Sequence, residues 1–161
     1  MSLLVQPTPA SLPRTSAMRL ISAALASVFV VLAVAQLYSF EELPDVIASL
    51  WLPGDVRLDQ LTAALLVTLE VLAIPFLLFM RLSPAMRIVS MVAGWIVIAG
   101  WVAIALWLNL TINATTNSGV LGATIPMAPG WWMLVFFIAM GALLGWVSWQ
   151  MMSPSTQEEK R

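Results

Sequence analysis

The sequence predicts an all-α, integral membrane four-helix bundle with both termini on the cytoplasmic side. Three observations predict it: an apolar composition, four apolar stretches of spanning length, and a lopsided distribution of Lys and Arg. Of 161 residues, 61% are hydrophobic and only 9% are charged. Soluble domains carry about 25% charged residues, so this chain lacks the charge needed to cover a water-facing surface. The four stretches leave little chain for a second, water-soluble domain. A net charge of −1 offers no basic surface to nucleic acid.

The stretches run over about 20–40, 61–80, 88–108 and 131–152. Each holds about 20 residues, which at ~1.5 Å per residue matches a hydrocarbon core of ~30 Å. Arg14 and Arg19 ahead of the first stretch give it the look of a secretion signal. Its apolar run exceeds the usual ~7–15-residue signal core, however, and no small-x-small site follows before the acidic loop, so a retained helix is expected. Residues 1–17 and 153–161 read as flexible cytoplasmic tails around a transmembrane domain at 18–152. If the helices alternate, Arg14, Arg19, Arg81, Arg87, Lys160 and Arg161 share one side, and only Arg57 lies on the other. That excess places the termini and the 81–87 turn in the cytoplasm and loops 41–60 and 109–130 outside.

The short turn 81–87 makes the second and third spans antiparallel neighbours, with Ser83 and Pro84 supplying a helix start. In the first outer loop, Val46, Ile47, Leu50 and Trp51 recur at helical spacing ahead of Pro53-Gly54. A short interfacial helix on the outer leaflet is expected there. Eight Trp is a high count for this length. Trp51, Trp107, Trp131, Trp132, Trp146 and Trp149 fall near span ends as an aromatic belt, whereas Trp95 and Trp101 lie deeper.

The chain has no Cys and no His. Disulfides, thiolate chemistry, Cys- or His-ligated metals and imidazole acid–base work are therefore excluded. Glu70 is the only ionisable residue well inside a span, where a charge costs a few kcal/mol or more. It must face protein or water, find a partner, or stay protonated. One reading makes it a proton carrier or an acceptor for a polar head group. The other makes it a structural tie between helices, and this is preferred because no second acid, Lys or Arg shares its depth. Gln36 is a neighbouring candidate, but counting from the span ends puts the two at different depths, so Gln36 is expected to be interfacial. Pro75 removes a hydrogen bond to the Val71 carbonyl, and a kink there would open polar backbone close to Glu70. Gly141-x-x-x-Gly145, and Ser90 with Gly94, allow close helix approach, read as internal packing rather than a dimer face. Asn109-Leu-Thr111 and Asn113-Ala-Thr115 match a glycosylation pattern that has meaning only outside bacteria.

Taken in order, three segments resemble the DoxX/MauE group of bacterial four-helix membrane proteins. Ala35-Gln-Leu-Tyr-Ser-Phe-Glu-Glu-Leu-Pro-Asp-Val-Ile47 resembles the family's first-helix end. Leu69-Glu-Val-Leu72 resembles its membrane glutamate motif. Asn117-Ser-Gly-Val-Leu-Gly122, followed by Trp131-Trp132, lies where MauE-type members carry Cys-Gly-Cys-Phe-Gly. The resemblance spans roughly 18–150 and implies a bacterial inner membrane location. MauE-type proteins are associated with disulfide formation during methylamine dehydrogenase maturation, and DoxX-type proteins with thiosulfate–quinone or oxidative-stress chemistry. Here Ser118 and Val120 stand at the cysteine positions, and Gln36 stands where Lys is common. A thiol–disulfide relay cannot operate without a thiolate.

The first functional reading is therefore a non-catalytic membrane accessory protein or subunit, packed against another membrane protein or a second copy. The alternative is a membrane redox protein binding a quinone or other lipophilic ligand through Glu70, Trp95 and Trp101. A transporter is disfavoured by a single mid-span acid and no detectable internal repeat.

Overall fold

The computed structural model describes residues 15–50, 56–111 and 117–152, all helices joined by turns. Five helices follow in order: α1 (Ser16–Tyr38), α2 (Leu43–Ser49), α3 (Val56–Leu77), α4 (Pro84–Thr111) and α5 (Trp131–Met152). Four of them, α1, α3, α4 and α5, are long and apolar enough to cross a membrane. They pack in a ring in which α1 touches α3, α3 touches α4, α4 touches α5 and α5 returns to α1, the last contact being the sparsest. The centre of the ring is filled by Phe29, Val97, Trp101, Met133, Phe137 and Leu144, all buried. Outward faces carry Leu20, Val31, Leu65, Val135 and Ile138 in the open, an apolar exterior suited to lipid.

Local chemistry explains the boundaries. Thr15 caps α1, its hydroxyl accepting from Met18 N at 3.2 Å. The tail expected at 1–17 therefore gives way to helix by Ser16; residues 1–14 and 153–161 lie outside the described residues, as do Trp51, Pro53-Gly54 and the Asn113–Thr115 pattern. Ser83 caps α4 as its sequence predicts, accepting from Met86 N at 3.3 Å, with Pro84 as the first helical residue. The second span was expected to reach Met80, but α3 stops at Leu77 because Phe79 turns into the left-handed region at φ 53°. The Leu77 carbonyl that this leaves is taken by the Ser22 hydroxyl of α1 at 2.6 Å.

Small residues bring the backbones together. Gly94 lies against Ala73 of α3 and Leu144 of α5, Gly141 against Ile98, and Gly145 against the Trp95 ring. The glycines of α5 thus face α4 inside the bundle. Ser90 does more than provide space. Its hydroxyl donates to the Leu72 carbonyl and accepts from Phe76 N at 3.1 Å. These are the two ends of one rung of the α3 ladder, so a side chain of α4 binds the α3 backbone immediately beside the proline.

The short helix of the first loop forms where its apolar spacing predicts, but its apolar face points into the protein. Leu43 and Ile47 pack against Ala63 and Val67 of α3, and Leu50 is likewise buried. Replacing Ser90 by Ala should lower the unfolding free energy in micelles by about 0.5–2 kcal/mol, the range for a side-chain hydrogen bond between membrane helices. Ser27→Ala, where the hydroxyl is exposed and bonds only its own helix, should change it by less than about 0.5 kcal/mol.

Candidate functional site

Glu70 lies in the middle of α3 and is fully buried. Its Oε1 accepts two hydrogen bonds, from Trp101 Nε1 of α4 at 3.1 Å and from Gln36 Nε2 of α1 at 3.2 Å. Gln36 also donates to the Val120 carbonyl at 3.2 Å. One carboxyl therefore joins three spanning helices, and one amide carries the join to the segment before α5. Trp101 is held in place by a stacked contact with Phe137 of α5, ring centroids 5.6 Å apart.

The expectation that Gln36 is interfacial, at a different depth from Glu70, is overturned. Gln36 is fully buried and bonded directly to the carboxyl. The depth count assumed that the helices begin and end level. Instead, α1 stops at Tyr38, and α2 then packs beside the first turns of α3, which begins at Val56. The end of α1 is thus tied to residues 117–123, whose Val120 carbonyl takes Gln36 and whose Ala123 amide reaches Ser39.

That segment is tightly made. Asn117 Oδ1 accepts from Gly119 N at 3.0 Å and Met127 N at 3.4 Å, while its Nδ2 donates to the Gly122 carbonyl at 3.1 Å. Ser118 N donates to the Met127 carbonyl at 2.8 Å. Ser39, at the end of α1, accepts from Ala123 N at 2.8 Å. Gly122 adopts φ +71°, and a Cβ there would come within 2.6 Å of the Ala35 carbonyl oxygen and collide with Ser39 Oγ. Only glycine lets this segment lie so close to α1.

Of the two deep tryptophans, the structure brings Trp101 to Glu70 and leaves Trp95 apart. Trp95 is 40% exposed and packs on Gly145. Six residues before Trp101, at 3.6 residues per turn, it lies on a different face of α4. Residues whose roles here the sequence did not indicate are Val120, which acts through its backbone carbonyl, and Asn117 and Ser39, which act through their side chains; the paired glycines at 119 and 122 were the available signal of a tight turn. Three buried side-chain atoms near this join have no hydrogen-bond partner: Glu70 Oε2, Gln36 Oε1 and Ser118 Oγ. The arrangement can offer acceptors to a polar group. Among the described residues there is no group of His, Cys, Asp and Glu that could hold a metal.

The four apolar helices and their lipid-suited exterior define a multi-pass helical membrane protein. Comparison with protein-family models, curated proteins and solved structures found no match.

Glu70→Gln keeps an acceptor at the same atom and should hold the unfolding midpoint in micelles close to that of the parent. Glu70→Leu strands the Trp101 and Gln36 donors and should cost about 1–3 kcal/mol, with a red shift in Trp fluorescence as Trp101 loosens. Equal stability of the two variants would show that the carboxyl ties nothing together.

Proposed function

We propose that the chain is a non-catalytic accessory protein or subunit of a membrane complex, built on a DoxX/MauE-like scaffold from which the redox cysteines are gone. The observation that carries this reading is the use made of Glu70. The one ionisable side chain in the middle of a span is fully buried and engaged by α1 and α4. Its geometry is that of an internal tie, and Cys and His are absent from the whole chain. What remains to interact with is the apolar outer face of the helices, which suits a partner within the bilayer.

A second reading is favoured by the unpartnered Glu70 Oε2 and Gln36 Oε1. Buried acceptors without partners are costly in a membrane interior, and the head of a quinone or other lipophilic ligand would relieve them. Trp101, stacked on Phe137, would then wall that site, whereas Trp95 would contribute nothing.

The orientation we infer is the one the Lys and Arg distribution supports, with both termini in the cytoplasm of a bacterial cell. In intact cells, a membrane-impermeant maleimide should label Glu41→Cys and spare Ser155→Cys; the reverse pattern contradicts it. The functional test is purification in mild detergent at native abundance, with mass spectrometry of whatever travels with the chain. A stoichiometric membrane partner, retained equally by Glu70→Gln, is the expected result. A lone chain carrying quinone, lost on Glu70→Gln, would overturn the subunit reading in favour of the second.

A further inference from the structure

Three grooves run along α1 and join end to end. The first, of about 360 Å³, lies between α1 and α5 and is lined by Ser27, Val31, Leu32, Val120, Leu121 and Phe136 among others. The second, of about 430 Å³, shares Val31 and Leu121 with it and continues past Val34 to Tyr38. The third, of about 630 Å³, shares Tyr38 and Thr124 with the second and opens among Ser39, Glu41 and Glu42. The first two are walled almost wholly by hydrocarbon, whereas the third is half polar. The first groove follows the loosest seam of the ring, between α1 and α5, and the furrow's walls at Val31, Val34 and Tyr38 are more than half exposed on the outer face.

We propose that this furrow binds a single membrane lipid, its acyl chain lying along α1 and an amine-bearing head group held at Glu41 and Glu42. Length is the first argument. From Ser27 to Tyr38, at ~1.5 Å per residue, the apolar part extends roughly 17 Å, close to the depth of one leaflet in a core of ~30 Å. Charge is the second. The polar mouth stands at the end of a spanning helix, where lipid head groups lie, and presents two carboxylates with no ion-pair partner among the described residues. They attract an ammonium head and repel a head group of net negative charge. The site is separate from Glu70, which is sealed beneath Val120 and Gln36.

The test uses the full chain reconstituted in vesicles of equal phosphatidylethanolamine and phosphatidylglycerol, then released into mild detergent for native mass spectrometry. One phosphatidylethanolamine should remain per chain, preferred about fivefold, the ceiling for one exposed ion pair. The double variant E41Q/E42Q should erase the preference while retaining lipid. Val31→Trp should block the furrow and reduce retention of both lipids; Val31 is exposed, so the variant should keep the helical circular dichroism of the parent. Equal retention of the two lipids by the parent, a preference untouched by E41Q/E42Q, or undiminished retention by Val31→Trp would each overturn the proposal. So would a second copy of the chain cross-linked across the furrow in place of lipid.

Discussion

A carboxyl in the middle of a membrane-spanning helix has to be met by donors from the protein, because hydrocarbon offers none. Much of this structure follows from that requirement at Glu70. Its Oε1 draws Trp101 from α4 and Gln36 from α1, so the relative rotation of three helices is fixed by one atom. Gln36 has a second N–H, and this one reaches the Val120 carbonyl. The segment before α5 is thereby recruited into the bundle instead of lying over it. Low local dielectric strengthens each bond in such a network and raises the cost of losing one.

The rest of the bundle meets the same rule with backbone groups. Pro75 withholds one ladder hydrogen bond from α3 five residues after Glu70, and beside it the Ser90 hydroxyl of α4 bonds both Leu72 and Phe76. The carbonyl left at the end of α3 takes the Ser22 hydroxyl. Close approach is provided by Gly94 between α4 and α3, and by Gly141 and Gly145 between α5 and α4. On the α3–α4 seam, polar satisfaction and small-residue packing therefore occur together. Ser90 meets α3 one turn from Gly94, which lies against Ala73 of that helix.

Much of this was legible in the residues. Four spans follow from composition and length, α2 from the spacing of Val46, Ile47 and Leu50, and the start of α4 from Ser83-Pro84. Glu70 stands out because no other mid-span residue ionises. The partner of Glu70 was not legible, since the depth of Gln36 depends on how far α1 stops short and how α2 doubles back beside α3. Nor could sequence separate Trp95 from Trp101, which are equally deep by position and differ only in the face of α4 they occupy. Residues 117–123 were hardest to read. Their contribution runs through the Val120 carbonyl and the Ala123 amide, which every residue type possesses, and only the glycines at 119 and 122 hint at the turn.

The most direct measurement is a double-mutant cycle on Gln36→Leu and Glu70→Leu, read as unfolding free energies in micelles. If the amide and carboxyl hold α1, α3 and the 117–123 segment together, the two substitutions should couple by about 0.5–2 kcal/mol. Losses that simply add, within about 0.3 kcal/mol, would show that each residue is accommodated on its own and that the join at Glu70 does not organise the bundle.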